Sequence, residues 1–248
     1  MALQAETRVE RVPVFEAALT LALPKGRILA PALELLAAAG VDMGELREAN
    51  DRRLMFALPG GGKALLVKPS DVPAYVEHGV ADVGIAGSDT LREQGHDLYE
   101  PVDLGIGACR LAVAEPMDRP ARLRRGMELR VATKYPNLAR RHYSSKGISP
   151  EIIPLYGSVE LGAITGLADQ IVDLVESGET LRQNRLAEVE TIMHVTSRLI
   201  VHPASLKLKP GLVARVIDGL RLAVHQVDAS AGTRAGAANE PRKAVGDR

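Results

Sequence analysis

Between Glu160 and Leu181 one short run brings together residue types suited to holding a phosphorylated sugar. Gln170 to Val175 reads as a buried strand, apolar at Ile171, Val172, Leu174 and Val175, with a single acid, Asp173, set among them. Glu176-Ser177-Gly178-Glu179-Thr180 follows at once, and a helical turn is predicted from about Leu181. A strand that empties into a small-residue loop and then a helix start points backbone N–H groups outward, where they and the helix dipole favour an anion. Gly178 permits close backbone approach, and Thr180 is placed to cap the turn. The acids have the wrong charge for phosphate and the right chemistry for sugar hydroxyls. Asp173 and Glu176 can accept hydrogen bonds from a ribose while Ser177, Gly178, Glu179 and Thr180 hold its phosphate. Glu160 heads the run and either touches the sugar or caps its own helix.

A second set is basic. Lys25-Gly26-Arg27 stands at the predicted exit of the first strand, and in open α/β sheets ligands gather beyond the carboxyl ends of strands. Two cations on a glycine turn suit polyphosphate oxygens, arginine as a two-pronged donor; the alternative is a solvated turn. Lys68 and Asp71 flank a strand-to-helix junction, as do Ser88 and Asp89. In each pair the acid is either a helix cap or a ligand contact. Lys134 and Tyr135, after Thr133, end another strand and face either a nucleotide or solvent. Gly60-Gly61-Gly62-Lys63 lacks the spacing of a nucleotide loop, and Ala64 stands where Ser or Thr belongs, so it is read as a turn. The histidines (His78, His96, His142, His194, His202, His225) are scattered without metal-ligand spacing, so no dedicated protein-ligated metal is expected. The single cysteine, Cys109, lies in an apolar run and is read as a buried structural thiol. No nucleophile elbow is present.

The elements that must position these groups alternate. Strands are predicted at Leu19–Leu23, Leu54–Leu58, Ala64–Lys68 and Asp82–Ala86. Helices are predicted at Ile28–Ala39, ended by Gly40, from about Ser70 to Glu77, and from Ser88 to Gln94. A second half follows, with strands at Cys109–Ala114, Leu129–Thr133, Glu151–Leu155, Gln170–Val175, Glu188–Val195 and Leu199–His202. Its helices are Asn137–Ser145, Val159–Thr165 and a terminal one from Pro210 to about Gln226. The alternation marks two α/β halves. Residues 1–17 read as a loose leader, and 227–248, rich in Ala and Gly without periodicity, as a disordered tail.

Lys plus Arg equals Asp plus Glu at 31 each, which argues against a nucleic-acid or anionic-membrane binder. No apolar run approaches the roughly 18 residues of a bilayer span, and the start lacks a secretory pattern. A cytoplasmic location is expected.

The same residues carry a family resemblance. Glu160, Gly166, Ala168, Ile171, Asp173, Leu174, Ser177, Gly178, Thr180 and Leu181, at these spacings, resemble the signature of the ATP phosphoribosyltransferases, which open histidine biosynthesis. The likeness extends to Leu23–Arg27, Lys68–Gly79, Ala81–Asp89, Ala132–Tyr135 and Thr196–Val201, roughly residues 19 to 226. It implies two α/β domains with a central cleft, like the type II periplasmic binding proteins. Domain I would be 18–107 plus 197–226, and domain II, with the phosphate loop, 108–196. The return crossing comes from the resemblance, not from periodicity. With few residues after the terminal helix, the chain resembles the short, catalytic form. That form pairs, as a homodimer, with a histidyl-tRNA-synthetase-like regulatory subunit in a hetero-octamer.

The implied activity is condensation of ATP with phosphoribosyl pyrophosphate, giving N1-(5-phosphoribosyl)-ATP and pyrophosphate. Mg²⁺ would travel with the substrate phosphates. Glu160, Asp173 and residues 176–180 would bind phosphoribosyl pyrophosphate. Lys25, Gly26, Lys68, Asp89, Lys134 and Tyr135 would bind ATP or pyrophosphate, and Arg27 and Arg52 would stabilise the leaving group. The alternative is a two-lobed cytoplasmic protein that binds a small ligand without chemistry.

Overall fold

The computed structural model describes residues 19–47, 53–121 and 128–237. The expected leader, Arg52 and the far end of the expected tail lie outside them. The first half of the chain runs through β1 (Thr20–Pro24), α1 (Leu29–Ala38), β2 (Met55–Ala57), β3 (Lys63–Val67), α2 (Val72–Glu77), β4 (Val83–Gly87), α3 (Ser88–Gln94) and β5 (Tyr99–Asp103). The second half holds β6 (Cys109–Pro116), β7 (Arg130–Thr133), α4 (Pro136–Ser145), β8 (Glu151–Pro154), α5 (Glu160–Ile164), β9 (Gln170–Val175), α6 (Glu179–Gln183) and β10 (Leu186–Val195). β11 (Ser197–Val201), α7 (Pro203–Leu208) and α8 (Pro210–Ala237) complete the chain.

Two sheets result. The first is six-stranded, in the order β2-β3-β1-β4-β11-β5; the second is five-stranded, in the order β10-β6-β9-β7-β8. β1 lies parallel between β3 and β4, and its Leu21, Ala22 and Leu23 are buried on both faces, hence the unbroken apolar run. On one face Leu21, Leu23, Ile85 and Leu199 pack against α1 and α8; on the other, Ala22, Ala86 and Ile200 pack against Val72 and Val76 of α2. α1 ends in a Schellman cap: Gly40 is left-handed (φ +83°), its N–H donates to Ala37 at 3.0 Å, and the Val41 N–H donates to Leu36 at 2.8 Å. In the second sheet Val131 and Val172 face one core, and Ala132 and Ile171 the other.

The chain crosses between sheets after β5 and again between β10 and β11. The crossings touch where the Ser197 N–H donates to the Ile106 carbonyl at 3.0 Å, and the second is held to the start of α3 by the Ser88 N–H, which donates to the Thr196 carbonyl at 2.9 Å. The long antiparallel pair β6/β10 forms the edge of the second lobe.

Three features depart from the sequence reading. β5 was not predicted, because Glu100, Pro101 and Asp103 argue against a strand. It is an edge strand with only Val102 buried, the position where a sheet tolerates proline. α7, opened by Pro203, was not predicted either. The terminal helix continues past Gln226 to Ala237, so the proximal part of the expected disordered tail is helical; its alanine content favours that continuation. Among the described residues no helix is long and apolar enough to cross a membrane.

Candidate active site

β9 delivers the phosphate loop. After Val175 the chain turns through Gly178, which is left-handed (φ +76°) and forms the N-cap of α6. The Ser177 hydroxyl accepts the Glu179 N–H at 3.3 Å. Asp173 sits on β9 between the buried Val172 and the half-buried Leu174, and its Oδ1 accepts the Leu174 N–H at 2.8 Å. Burial pushes its carboxyl above the usual carboxylate range; the Leu174 N–H pulls it back, and Glu160 adds a smaller upward push. A cavity of about 340 Å³ opens here, lined by Glu160, Asp173, Glu176, Ser177, Gly178 and Thr180, with Arg27 reaching in from the other lobe.

Two residues of this run behave differently from the expectation. Glu179 does not line the cavity. Its carboxylate pairs with Arg182 and accepts from Gln183 at 3.0 Å, on the exposed face of α6. Thr180 lines the cavity but does not cap the turn, because α6 starts at Glu179, earlier than predicted, and Gly178 takes the cap position.

A second cavity, about 280 Å³, lies between the lobes and shares Arg27 and Leu174 with the first. Lys25, Asp89, Lys134 and Tyr135 line it, so three separate predicted segments converge. Gly26 makes this possible on the first lobe: it is left-handed (φ +87°), and its carbonyl accepts the Leu29 N–H at 3.1 Å, turning β1 into α1. On the second lobe Thr133 Oγ1 donates to the Val172 carbonyl at 2.6 Å and accepts the Tyr135 N–H at 2.8 Å, which fixes the turn that presents Lys134 and Tyr135. Lys68 is exposed and absent from the lining, where its neighbours Pro69 and Ser70 stand instead. Asp71 accepts from the Ser70 hydroxyl at 2.8 Å and makes no cap bond. Arg53, beside the undescribed Arg52, stands over the Phe56 ring at 5.0 Å.

Several contacts cross between the lobes. The Tyr135 hydroxyl donates to Asp89 Oδ2 at 2.8 Å, both groups buried, and burial followed by the Asp89 charge raises the Tyr135 phenol far above its ordinary value, so it remains a donor. The Glu93 carboxylate, at the end of α3, accepts the first N–H groups of α4 from Asn137 (2.9 Å) and Leu138 (2.8 Å). Arg27 pairs with Glu176 on the phosphate loop.

Sequence reasoning missed three of the groups here. Cys109 packs at the margin of the second lobe's core but is only half-buried: it also lines the inter-lobe cavity and lies against Arg27, while burial raises its thiol. An apolar strand looks the same whether its first residue faces a core or a cleft. Glu93 gave no local signal, nor did Arg110, whose Nη1 donates to the Glu176 carbonyl at 3.1 Å, since their partners lie far away in sequence.

Both lobes bring charged groups to the cleft. Carboxylates (Glu160, Asp173, Glu176) gather on the second lobe, which also carries Lys134, and cations (Lys25, Arg27) on the first, which also carries the buried Asp89. Carboxylates, a small-residue loop and cations thus share one cleft.

Fold and site together define a two-lobed α/β protein with its ligand cleft between the lobes. The sulfonate-binding protein SsuA of Methylobacillus flagellatus KT has this architecture: its TM-score is 0.57 at 13% identity, covering 87% of this chain and 70% of that one. At that identity the likeness is one of fold alone. The family model for ATP phosphoribosyltransferase matches residues 68–222. The chain is 50% identical over 207 residues to the ATP phosphoribosyltransferase of Sorangium cellulosum (83% of this chain, 95% of that protein). It is 51% identical over 213 residues to that of Halorhodospira halophila (86% and 98%). A solved structure, the ATP phosphoribosyl transferase (HisG:HisZ) complex from Thermotoga maritima, matches with a TM-score of 0.73 at 35% identity, covering 84% of this chain and 99% of that one. The chain belongs to the ATP phosphoribosyltransferase family.

Proposed function

We propose that this chain joins ATP to phosphoribosyl pyrophosphate, forming N1-(5-phosphoribosyl)-ATP and pyrophosphate, the first step of histidine biosynthesis. The observation that carries this reading is the 340 Å³ cavity in which Asp173, Glu160 and the Ser177–Thr180 loop stand together opposite Arg27. The loop N–H groups hold the 5′-phosphate, and Asp173 accepts from the ribose hydroxyls. Arg27, bordering both cavities, meets the pyrophosphate, with Lys25 beside it. Arg52, outside the described residues, joins Arg27 at the leaving group. ATP occupies the inter-lobe cavity against Lys134 and Tyr135.

Adenine N1 attacks C1 of the ribose and pyrophosphate departs from the opposite face. Neutral N1 has no proton to lose before attack, so no general base is required. Positive charge grows on the sugar near Asp173 and Glu160, and negative charge grows on the leaving oxygen near Arg27. Catalysis is therefore positioning plus charge stabilisation. Mg²⁺ would be held by the substrate phosphates and water. Its chemistry there would be to neutralise charge on the departing pyrophosphate, alongside Arg27. The chain works in the cytoplasm, as a dimer with a histidyl-tRNA-synthetase-like regulatory partner in a hetero-octamer. The basis for the partnership is the two-protein complex among its structural neighbours.

The test is turnover followed by ultraviolet absorbance, with ATP, phosphoribosyl pyrophosphate, Mg²⁺ and pyrophosphatase to draw the equilibrium forward. Product that requires all three ligands is expected, with or without the regulatory partner. Absence of both turnover and phosphoribosyl pyrophosphate binding would refute the reading.

A further inference from the structure

Behind the phosphate loop stands a group that does not line its cavity. Arg110 lies on β6, and Glu188 on β10 grips its guanidinium at two points: Nε donates to Oε1 at 2.7 Å and Nη2 to Oε2 at 2.5 Å. Glu188 Oε1 is itself steadied by the Thr191 hydroxyl at 3.1 Å. The remaining nitrogen, Nη1, donates to the backbone carbonyl of Glu176 at 3.1 Å. A planar guanidinium held by both oxygens of a carboxylate cannot rotate freely, so its third bond lands on one fixed carbonyl.

That carbonyl is the first of the loop. In a trans peptide the C=O and the following N–H point in opposite directions. Anchoring the Glu176 carbonyl on Arg110 therefore turns the Ser177 N–H the other way. Arg110 and Glu188 border a hollow on the far side of the loop, while Ser177 and Gly178 also line the Asp173 cavity. Gly178 supplies the left-handed backbone (φ +76°) beside Arg110; a Cβ there would only make ordinary contact with Arg110 Nη2, at 3.9 Å.

We infer that Arg110, locked by Glu188, is a positioning residue for the phosphoribosyl end of the substrate. It fixes the first peptide plane of the loop so that its N–H is aimed before the phosphate arrives, and it never touches the ligand. Binding energy that would otherwise go into ordering the loop is then kept as affinity. The inference rests on reading this loop as the phosphoribosyl pyrophosphate site.

The experiment uses the full chain and its Arg110→Ala, Arg110→Lys and Glu188→Gln variants. Calorimetry gives Kd for phosphoribosyl pyrophosphate and for ATP, alongside each Tm. Arg110→Ala should bind phosphoribosyl pyrophosphate on the order of tenfold more weakly, the low end of what outer-shell groups command at metal sites, with ATP affinity within about twofold. Arg110→Lys should fall between, because lysine reaches the carbonyl but cannot be gripped at two points. Glu188→Gln should weaken binding in the same selective way; if the alanine variant does not fold, it decides on the same criterion. Unchanged phosphoribosyl pyrophosphate affinity in a folded variant, or equal weakening of both ligands, overturns the inference. A wild-type chain that binds ATP but not phosphoribosyl pyrophosphate overturns the reading of the loop itself.

Discussion

Asp173→Asn should make the ligand-free protein more stable and its substrate complex weaker. Burial and the neighbouring Glu160 both oppose a charge at Asp173, and its carboxyl is raised above the ordinary value of 3.8. An acid raised in the folded state favours folding when neutral. Its contribution is complete below the unfolded value and is lost as pH rises through the folded one. At pH 7 the carboxylate therefore works against the fold. Asparagine has the same shape, stays neutral and keeps an oxygen for the Leu174 N–H, now accepted at 2.8 Å. The gain should be on the order of 1 kcal/mol, typical of relieving a functional site, raising Tm by roughly 2–4 °C for a chain of this size. Binding moves the other way. Hydrogen bonds to a charged group contribute about 1.5–3 kcal/mol and to a neutral one about 0.5–1.5. Losing the charge, a difference of about 1–1.5 kcal/mol, should thus weaken phosphoribosyl pyrophosphate binding by roughly 5- to 13-fold. Scanning calorimetry at pH 7 and pH 4 and titration calorimetry with the ligand read both effects, and the Tm gap should narrow toward pH 4 as a growing fraction of the wild-type carboxyl is protonated. A variant that melts below wild type at pH 7, or binds with unchanged affinity, would refute the argument.

Other expectations concern the seam and the scaffold. Tyr135→Phe leaves Asp89 buried without its 2.8 Å donor and should cost about 1.5–3 kcal/mol. A double-mutant cycle with Asp89→Asn, followed by urea unfolding, should give a coupling above about 0.5 kcal/mol; additivity would show that the bond does not join the lobes. Gly219→Ala would ordinarily gain about 1 kcal/mol of helix propensity. Here its Cβ would meet the Ala39 carbonyl oxygen at 2.7 Å, and overpacking of about 1–3 kcal/mol should win, so a raised Tm would contradict the close α1–α8 approach. Burial alone would raise Asp82, but hydrogen bonds from Lys209, Ser205 and the Thr20 N–H outweigh it and lower its carboxyl below 3.8. A lowered acid stabilises above its unfolded value and loses that contribution as pH falls through the folded one. Asp82→Asn should therefore destabilise by about 2 kcal/mol at pH 7, the buried-pair cost discounted for the partly exposed Lys209. It should also flatten the loss of stability below about pH 4 seen in pH-dependent unfolding.

What could be read from the sequence was what depends on near neighbours. The β9 strand, the loop after it and the glycine end of α1 each rest on a few consecutive residues, and each lies within a residue or two of its predicted place. The convergence of Lys25, Asp89 and Tyr135 on one cavity was not written in periodicity, because it depends on two chain crossings that bring distant strand ends together. Glu93 on the α4 start and Arg110 on the loop carbonyl are long-range polar contacts whose residue types also suit an exposed surface. β5 was hidden by its proline and acids, which only its edge position permits. Cys109 was misread because an apolar strand that borders a cleft has the composition of one that fills a core.

The place of β11 has a consequence for synthesis on the ribosome. β11 sits between β4 and β5, yet it is made after the entire second lobe. Residues 109–195 form a contiguous unit that can close on itself as it emerges. The first lobe must wait with a slot open between β4 and β5, their apolar faces and unpaired backbone waiting for Ser197–Val201 and then for α8. The nascent first lobe is therefore the part that most needs shielding, and truncation just before β11 should leave one finished lobe tethered to one that cannot close.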